Sequence, residues 1–371
     1  MENQNKIDYL IVGAGLSGII LAERLASIGK KVLLIDKRSH IGGNCYDYTN
    51  DAGILVHKYG PHYFRAKSKE VIEYLSSFTE WIPHNYKVKV RIKNKLYSFP
   101  INKKTFEEFF NKKFGSEEEL KDFIEKKRDK SIKIPKDAEE QILSQVGKEI
   151  YEAFFKGYTE KQWGVPVKSL NSSVTARIPI RFNEDDNYIV EGFQAMPKEG
   201  YTKMFGKILN NINIEIRLNT PYEDSLKKEC NKIIWTGPID EYYNHKFGKL
   251  PYRSLNFIFI NFYGKEFIQE EGQINYPDKE VPYTRIVEIK HVTHQNSQNT
   301  NLSIEIPSDE GDPYYPMPTK EGEELYEKYF EESKKEKNVY FIGRLANYKY
   351  INMDQCIEEA LKLFESIKNE K

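Results

Sequence analysis

Several protein classes are excluded by what this chain has little of. Cysteine occurs three times in 371 residues, at 45, 230 and 356, far apart and with no CxxC or Cys/His spacing. A disulfide framework and a zinc site are therefore not expected, no metal ligands are assigned, and a reducing cytoplasm is the expected compartment. Apolar runs fall short of the ~18 residues of a membrane span and no basic-then-apolar leader opens the chain, so no membrane insertion is expected. Neither sign of charge is in excess, with Lys+Arg and Asp+Glu both at 56. No global field draws the molecule to nucleic acid, and an anionic ligand has to be gripped by a few local arginines. Internal repeats and low-complexity linkers are also missing. What is plentiful is aromatic: 26 tyrosines and 21 phenylalanines, in a chain long enough for two or three domains.

The amino-terminal segment "IDYLIVG" reads as a buried parallel strand, and "LSGIILAERLASIG" as a helix ending at Gly29. Between them runs Gly13-Ala-Gly15-Leu16-Ser17-Gly18. In such a unit the first glycine allows a tight turn, the second brings bare backbone to a pyrophosphate at the helix amino terminus, and the third lets helix and strand pack closely. A second strand, "KKVLLIDKR", ends in Asp36, about 20 residues on, where a carboxylate can bind ribose hydroxyls. Next come Lys37, Arg38, Gly42, Gly43 and Asn44, a second glycine pair similar to that of FAD-binding oxidase-like proteins. Near the other end, "VYFIGRLANYKYINMDQCIEEALK" is again a strand, then Gly343-Arg344, then a helix. It resembles the closing element of that superfamily, so a discontinuous FAD domain is expected.

The middle of the chain turns helical and charged from about 103 to 164. From about 253 to 306, "SLNFIFINFYG", "YTRIVEIKHV" and "LSIEIP" read as antiparallel strands. The segment "FFKGYTEKQWG" places Phe154 and Tyr158 four apart on one helical face beside Gly157. Spacing alone favours aromatic core there; the polar "TEKQWG" that follows favours a ligand surface. Further on, "RIPIRF" supplies Arg177 and Arg181 in a loop broken by Pro179, and a planar guanidinium fork suits phosphate oxygens.

"IVGAGLSG", "HKYGPHYF", "FKGYTEKQWG", "RIPIRF", "WTGPID", "VPYTRIVE", "DPYYP" and "GRLANYKY" follow one another as in bacterial UDP-galactopyranose mutases, and the likeness runs along nearly the whole chain. The resemblance implies an α/β fold: a discontinuous Rossmann-like FAD-binding domain (1–80, 190–245 and 325–371), a helical domain (81–150), and a twisted antiparallel β-sheet domain that binds substrate (151–189 and 246–324). It implies that Phe154 and Tyr158 sandwich uracil, that Thr159 and Trp163 line the same cleft, and that Arg177 and Arg285 flank the diphosphate. Tyr188, Tyr314 or Tyr315, and Tyr350 are implied as phosphate-binding hydroxyls, with Tyr350 also near the cofactor. His62 is implied beside the reactive edge of the flavin, and Arg344 on the flavin phosphates.

The implied reaction interconverts pyranose and furanose rings of a nucleotide sugar without net redox change. Reduced FAD acts through N5 as a nucleophile on the anomeric carbon, and NAD(P)H or another reductant supplies the electrons. A UDP-sugar substrate and a homodimer are expected. Two departures from the pattern bear on the sugar: Arg65 stands where many of these enzymes have histidine, and Asn352 where they often have aspartate. UDP-galactose leads, with UDP-N-acetylgalactosamine or a dTDP-deoxyaminosugar as alternatives. An FAD-dependent amine oxidase is the reading from a different class, since the amino-terminal motifs alone permit it.

Overall fold

The structure is a computed structural model that describes residues 6–189 and 191–370; the termini and residue 190, which fall at the ends of the expected FAD-binding segments, lie outside it. Its organising sheet has five parallel strands in the order Ile214–Arg217, Val32–Ile35, Ile7–Val12, Cys230–Trp235, Val339–Phe341. Val32–Ile35 is buried on both faces, as a near-continuous apolar run requires. The helices Leu16–Ser27 and Met353–Asn369 pack together, burying Ile19, Ile20, Leu25, Ile357, Ala360 and Phe364 in one core. The glycine motif therefore lies at the carboxyl end of the central strand, where open parallel sheets bind their ligands.

A second sheet has seven strands in the order Tyr315–Pro316, Tyr252–Phe262, Thr300–Ser308, Arg285–Val287, Gln273–Asn275, Val88–Ile92, Lys95–Phe99. All neighbours are antiparallel except Gln273–Asn275 beside Val88–Ile92. The hairpin 88–99 thus belongs to this sheet, although its charged sequence reads with the helices that follow it; Val88 and Val90 alternate inward while Lys89 and Arg91 stay wetter. Residues 151–176, which the resemblance implies for the substrate-binding domain although 151–164 read as helical, pack with the helices Lys103–Phe110, Glu117–Glu125 and Ala138–Val146 in an aromatic core. The expected strand in "YTRIVEIKHV" stops at Val287. Glu288 turns inward to accept from the Ile268 and Gln269 amides, and a short helix, Lys290–Thr293, follows. Among the described residues no helix is long and apolar enough to cross a membrane.

Candidate active site

At the carboxyl end of the parallel sheet two glycine turns meet. Gly43 has φ +54°, and a Cβ there would lie 2.8 Å from the Gly15 Cα, so both chains pass as bare backbone. The Gly42 amide donates to the Ala14 carbonyl at 2.8 Å and fixes that contact. Helix Leu16–Ser27 starts at Gly15 with no side-chain cap and no acidic residue in its first turn, which leaves its first amides and positive dipole end for an anion. Asp36 ends the second strand and accepts from the Ala14 and Arg38 amides, each at 2.8 Å, which aims its carboxylate into the cleft. Arg38 reaches from Asn44 to Asp312, at 3.0 and 2.8 Å, and lies over the Tyr59 ring.

These groups line a cavity of about 460 Å³ that runs from Tyr222 and Asp224 past Gly13, Gly15, Leu16, Ser17, Asp36, Lys37, Gly42, Gly43 and Asn44 to His62 and Arg344. Its length, its uncapped helix end and its paired glycine backbones fit a dinucleotide. Gly18 is outside the lining because its role is packing: a Cβ there would meet the Gly13 carbonyl oxygen at 2.0 Å.

A second cavity, of about 490 Å³, adjoins the first, and the two share His62, Arg344 and Met353. It lies between the seven-stranded sheet and the helical segment. Tyr151–Lys156 is a π-helical turn and Gly157–Trp163 continues as α-helix; such widened turns recur at functional sites. Phe154, Tyr158, Thr159 and Trp163 all line the cavity. Phe154 is nonetheless core, 3% exposed and packed edge-on against Tyr97 and Phe109 at 5.5 and 5.4 Å, while also lining the cavity.

Arg285 enters from the sheet. Its Nε donates to Glu305 at 2.5 Å, and Glu305 is fully buried on the neighbouring strand. Burial alone pushes the Glu305 carboxyl up, and the guanidinium pulls against it. The pair holds Arg285 cationic and in one orientation. Arg177 enters from the opposite wall at the end of a short helix, Ser173–Ala176, with its guanidinium 4.4 Å from the Tyr350 ring centre. Arg344 stands 5.2 Å from the same ring and donates to the Ile351 carbonyl at 2.6 Å. Burial opposes ionisation of Tyr350, but Arg177 and Arg344 outweigh it and pull the hydroxyl down to about 8. Tyr315, Tyr350 and Trp163 form an aromatic corner with ring centres 5.5 to 6.4 Å apart. At the junction of the two cavities the His62 Nδ1–H donates to the Gly60 carbonyl at 2.9 Å, leaving Nε2 as an acceptor. Burial lowers His62 to about 3, so the ring is neutral at any ordinary pH.

The remaining expected residues fall as follows. Tyr188 and Arg65 line the second cavity, and among the described residues Arg65 has no carboxylate partner, which disposes of an ion pair as the reason for its charge. Tyr314 lines neither cavity; it is buried against Tyr59 and Phe257, and its neighbour Tyr315 takes the site position because successive residues of the strand face opposite ways. Tyr350 lines the second cavity only, not the dinucleotide cleft. Asn352 touches the cavity but also caps helix Met353–Asn369 in a reciprocal box with Gln355. Aspartate would cap equally well, so the cap explains a short polar side chain here but not the change from aspartate to asparagine. Arg181 stays outside, pinning the 185–187 carbonyls below Tyr188.

Sequence reading missed Glu305, Tyr63, Tyr86, Gln273 and Asn275. The last three form a buried chain in the cavity wall, Tyr86 hydroxyl to Gln273 at 2.7 Å and Gln273 amide to Asn275 at 2.8 Å. The alternation of polar groups in "GQINY" was the available signal, since Gln273 and Asn275 share one face of their strand.

Comparison with known proteins gives consistent matches. A family model described as UDP-galactopyranose mutase matches residues 153–350, and one described as an NAD(P)-binding Rossmann-like domain matches 11–78. A probable UDP-galactopyranose mutase of Klebsiella pneumoniae is 41% identical over 368 residues, covering 98% of this chain and 94% of that protein. A dTDP-fucopyranose mutase of Escherichia coli is 38% identical over 385 residues, covering 99% of this chain and all of that one. Among solved structures, a reduced UDP-galactopyranose mutase superposes with a TM-score of 0.78 at 16% identity, covering 98% of this chain and 95% of that one, which supports the fold.

Proposed function

The chain belongs to the UDP-galactopyranose mutase family, and we propose that it interconverts UDP-galactopyranose and UDP-galactofuranose with FAD in the dinucleotide cleft. The observation that carries this reading is the meeting of the two cavities at His62, Arg344 and Met353, which brings a cofactor's reactive end to a sugar held from the other side. Bound there in reduced form, FAD supplies an electron-rich nitrogen for the anomeric carbon, so that one hard displacement is divided into two easier ones. The residues of this chain hold and neutralise. Arg285, fixed by Glu305, and Arg177, on the opposite wall, take the diphosphate between two guanidinium forks and stabilise the charge that grows on it as the sugar bond breaks. Tyr158 and Phe154 hold the base, with Thr159 and Trp163 beside it. Tyr188, Tyr315 and Tyr350 donate hydroxyls to phosphate oxygens. His62, neutral and with Nε2 free, accepts a hydrogen bond from a sugar hydroxyl or from the cofactor edge without adding charge.

In this reading the FAD-binding domain is discontinuous, supported by parallel strands drawn from near both ends of the chain and from its middle. NAD(P)H is the proposed reductant and a cytoplasmic homodimer the proposed form; three buried, unpaired cysteines suit a reducing compartment.

A second reading, the same chemistry on a dTDP-sugar, is favoured by the 38% identity to a dTDP-fucopyranose mutase over the full chain. Dithionite-reduced protein incubated with UDP-galactose, UDP-N-acetylgalactosamine and dTDP-fucose, followed by separation of ring isomers, decides between them. Fastest ring contraction of UDP-galactose is expected. Preferential conversion of dTDP-fucose would install the second reading, and conversion of none would remove both.

A further inference from the structure

The polar run that follows Tyr158 does something other than line the cavity. Lys161 points away from it, and its Nζ donates among four backbone carbonyls of a single hairpin: Tyr276 and Asp278 at 2.7 Å, Tyr283 at 2.8 Å and Val281 at 3.1 Å. That hairpin connects strand Gln273–Asn275 to strand Arg285–Val287, so the first of these carbonyls directly follows Asn275 and the last lies two residues before Arg285. Its Pro277 is part of the cavity wall. The helix meets the hairpin without a side chain between them: a Cβ at Gly157 would lie 2.2 Å from the Pro277 carbonyl oxygen. Further ties run along the same seam. Glu160 pairs with Lys279, and Thr284 donates to the Gln162 side chain at 3.3 Å. From the sheet, Arg253 donates to the Gln162 and Lys161 carbonyls at 3.0 and 3.3 Å, satisfying carbonyls at the end of the helix that have no intrahelical partner.

We propose that Lys161 is a positioning residue that locks the nucleobase helix Gly157–Trp163 to the Arg285 hairpin, so that the base-holding and diphosphate-holding groups move as one body. The argument is one of supply and demand for hydrogen bonds. Carbonyls at 276, 278, 281 and 283 converge on one point inside a turn, where the hairpin itself supplies only a long contact, from the Val281 amide to the Asp278 carbonyl at 3.5 Å, so that most of the demand is met from outside it. An ammonium brings three donors on a long flexible stem and fills that point as no neutral side chain of its length can. Without it the carbonyls have to turn toward water, and the turn that carries Pro277 and sets the register of Arg285 relaxes with them. Tyr158 and Thr159 on the helix would then no longer stand at a fixed distance from Arg285 on the strand. A ligand that spans both, a uridine diphosphate, is the ligand that feels the difference; a ligand confined to the dinucleotide cleft does not.

This inference rests on the proposed nucleotide-sugar function and is tested with UDP itself. Two variants, both on the helix side of the seam, act on it in opposite ways: Lys161→Met removes the donor, and Gly157→Ala, which favours helix, inserts a methyl against the Pro277 carbonyl. In each the UDP dissociation constant, by titration calorimetry on the FAD-loaded protein, is expected to rise at least about tenfold, while FAD content and its visible spectrum stay as in the wild type. A double-mutant cycle adds a reading that general destabilisation would not give: Lys161→Met and Arg285→Lys together should cost less than the sum of the two alone. Wild-type protein that binds no UDP would remove the functional reading itself. Unchanged UDP affinity in both variants, strictly additive losses in the cycle, or loss of FAD and solubility in both variants would each overturn the inference while leaving the function standing.

Discussion

The dinucleotide cleft is shaped at its centre by bare backbone at Gly13, Gly15, Gly42 and Gly43, by the open amides of Leu16–Ser27 and by the ordered carboxylate of Asp36. The adjoining cleft has aromatic and cationic residues prominent in its lining, drawn from residues 59–65, 86–99, 154–163, 173–189, 273–285, 315–318 and 344–353. Backbone sites depend on a short unbroken motif and fail when any side chain intrudes. Side-chain sites depend on remote segments arriving together, and lose function in proportion to the group removed. The two arginines carry the same contrast into the second cleft. Arg285 is held by the buried carboxylate of Glu305; Arg177 stands on an exposed turn with its guanidinium over the Tyr350 ring, and among the described residues no carboxylate is paired with it.

The largest expected effect breaks the backbone side of that contrast. Gly43→Val puts branched atoms where even a Cβ lies 2.8 Å from Gly15, and the purified protein should be colourless with no activity; a yellow protein with normal FAD content would show that the glycine contact is not what shapes the cleft. On the side-chain side, Arg285→Ala should lower kcat by about a hundredfold to a thousandfold, the range for removing one charge-stabilising donor, with FAD retained. Arg177→Ala should lower kcat too but raise KM more, since an arm not held by a carboxylate contributes to capture. Equal kcat and KM changes in the two variants would erase the distinction between paired and unpaired arms. Glu305→Gln should reproduce part of the Arg285 defect, because a buried guanidinium without its counter-charge loses its orientation.

A smaller effect is expected from pH. With its hydroxyl pulled down to about 8, Tyr350 donates below that pH and carries a negative charge beside the diphosphate above it. UDP affinity should therefore fall as pH rises through about 8; Lys161, which burial also lowers to about 8, acts in the same direction, so Tyr350→Phe should bind more weakly at pH 7 and show a smaller fall than the wild type. No matching inflection between pH 5 and 7 is expected from His62, which is already neutral there. A wild-type profile flat to pH 9 would remove the charged-hydroxyl account.

The smallest effect concerns the sugar. Arg65 lines the cavity with no carboxylate partner among the described residues, and a charged donor to an acetamido carbonyl contributes ~1.5–3 kcal/mol, about tenfold or more in preference. Arg65→His should lower kcat/KM more for UDP-N-acetylgalactosamine than for UDP-galactose. An unchanged ratio would leave Arg65 without a part in sugar choice.

The same contrast explains how far the sequence could be read. Strand Ile7–Val12, the glycine turn and Asp36 are local in the chain, and spacing alone indicated what they do. Arg285 and Tyr350 were reachable only through resemblance. Glu305 was not reachable even so, because a glutamate in "LSIEIP" looks like the polar phase of an ordinary strand; only the register that sets it opposite Arg285 gives it meaning. Lys161 was visible as polarity that did not fit a core helix, but its partners lie more than a hundred residues away. Phe154 shows the limit of periodicity from the other direction, since its spacing is that of core and it is core, yet it also lines the cavity. At 88–99 the charge of the segment reads with the helices while its pairing is with the sheet, and at 151–176 the packing is with the helices, as the helical reading of 103–164 implies.

The central claim is that cofactor and sugar meet where the two cavities join and that no net oxidation follows. The most direct measurement is turnover counted against electrons: anaerobic protein reduced once with dithionite, then given UDP-galactopyranose, with furanose product and remaining reduced FAD followed together. The account predicts many furanose molecules per FAD with the reduced spectrum unchanged at the end, and no product from the oxidised protein. Product formed only in proportion to electrons consumed, or formed equally well by the oxidised protein, would contradict it.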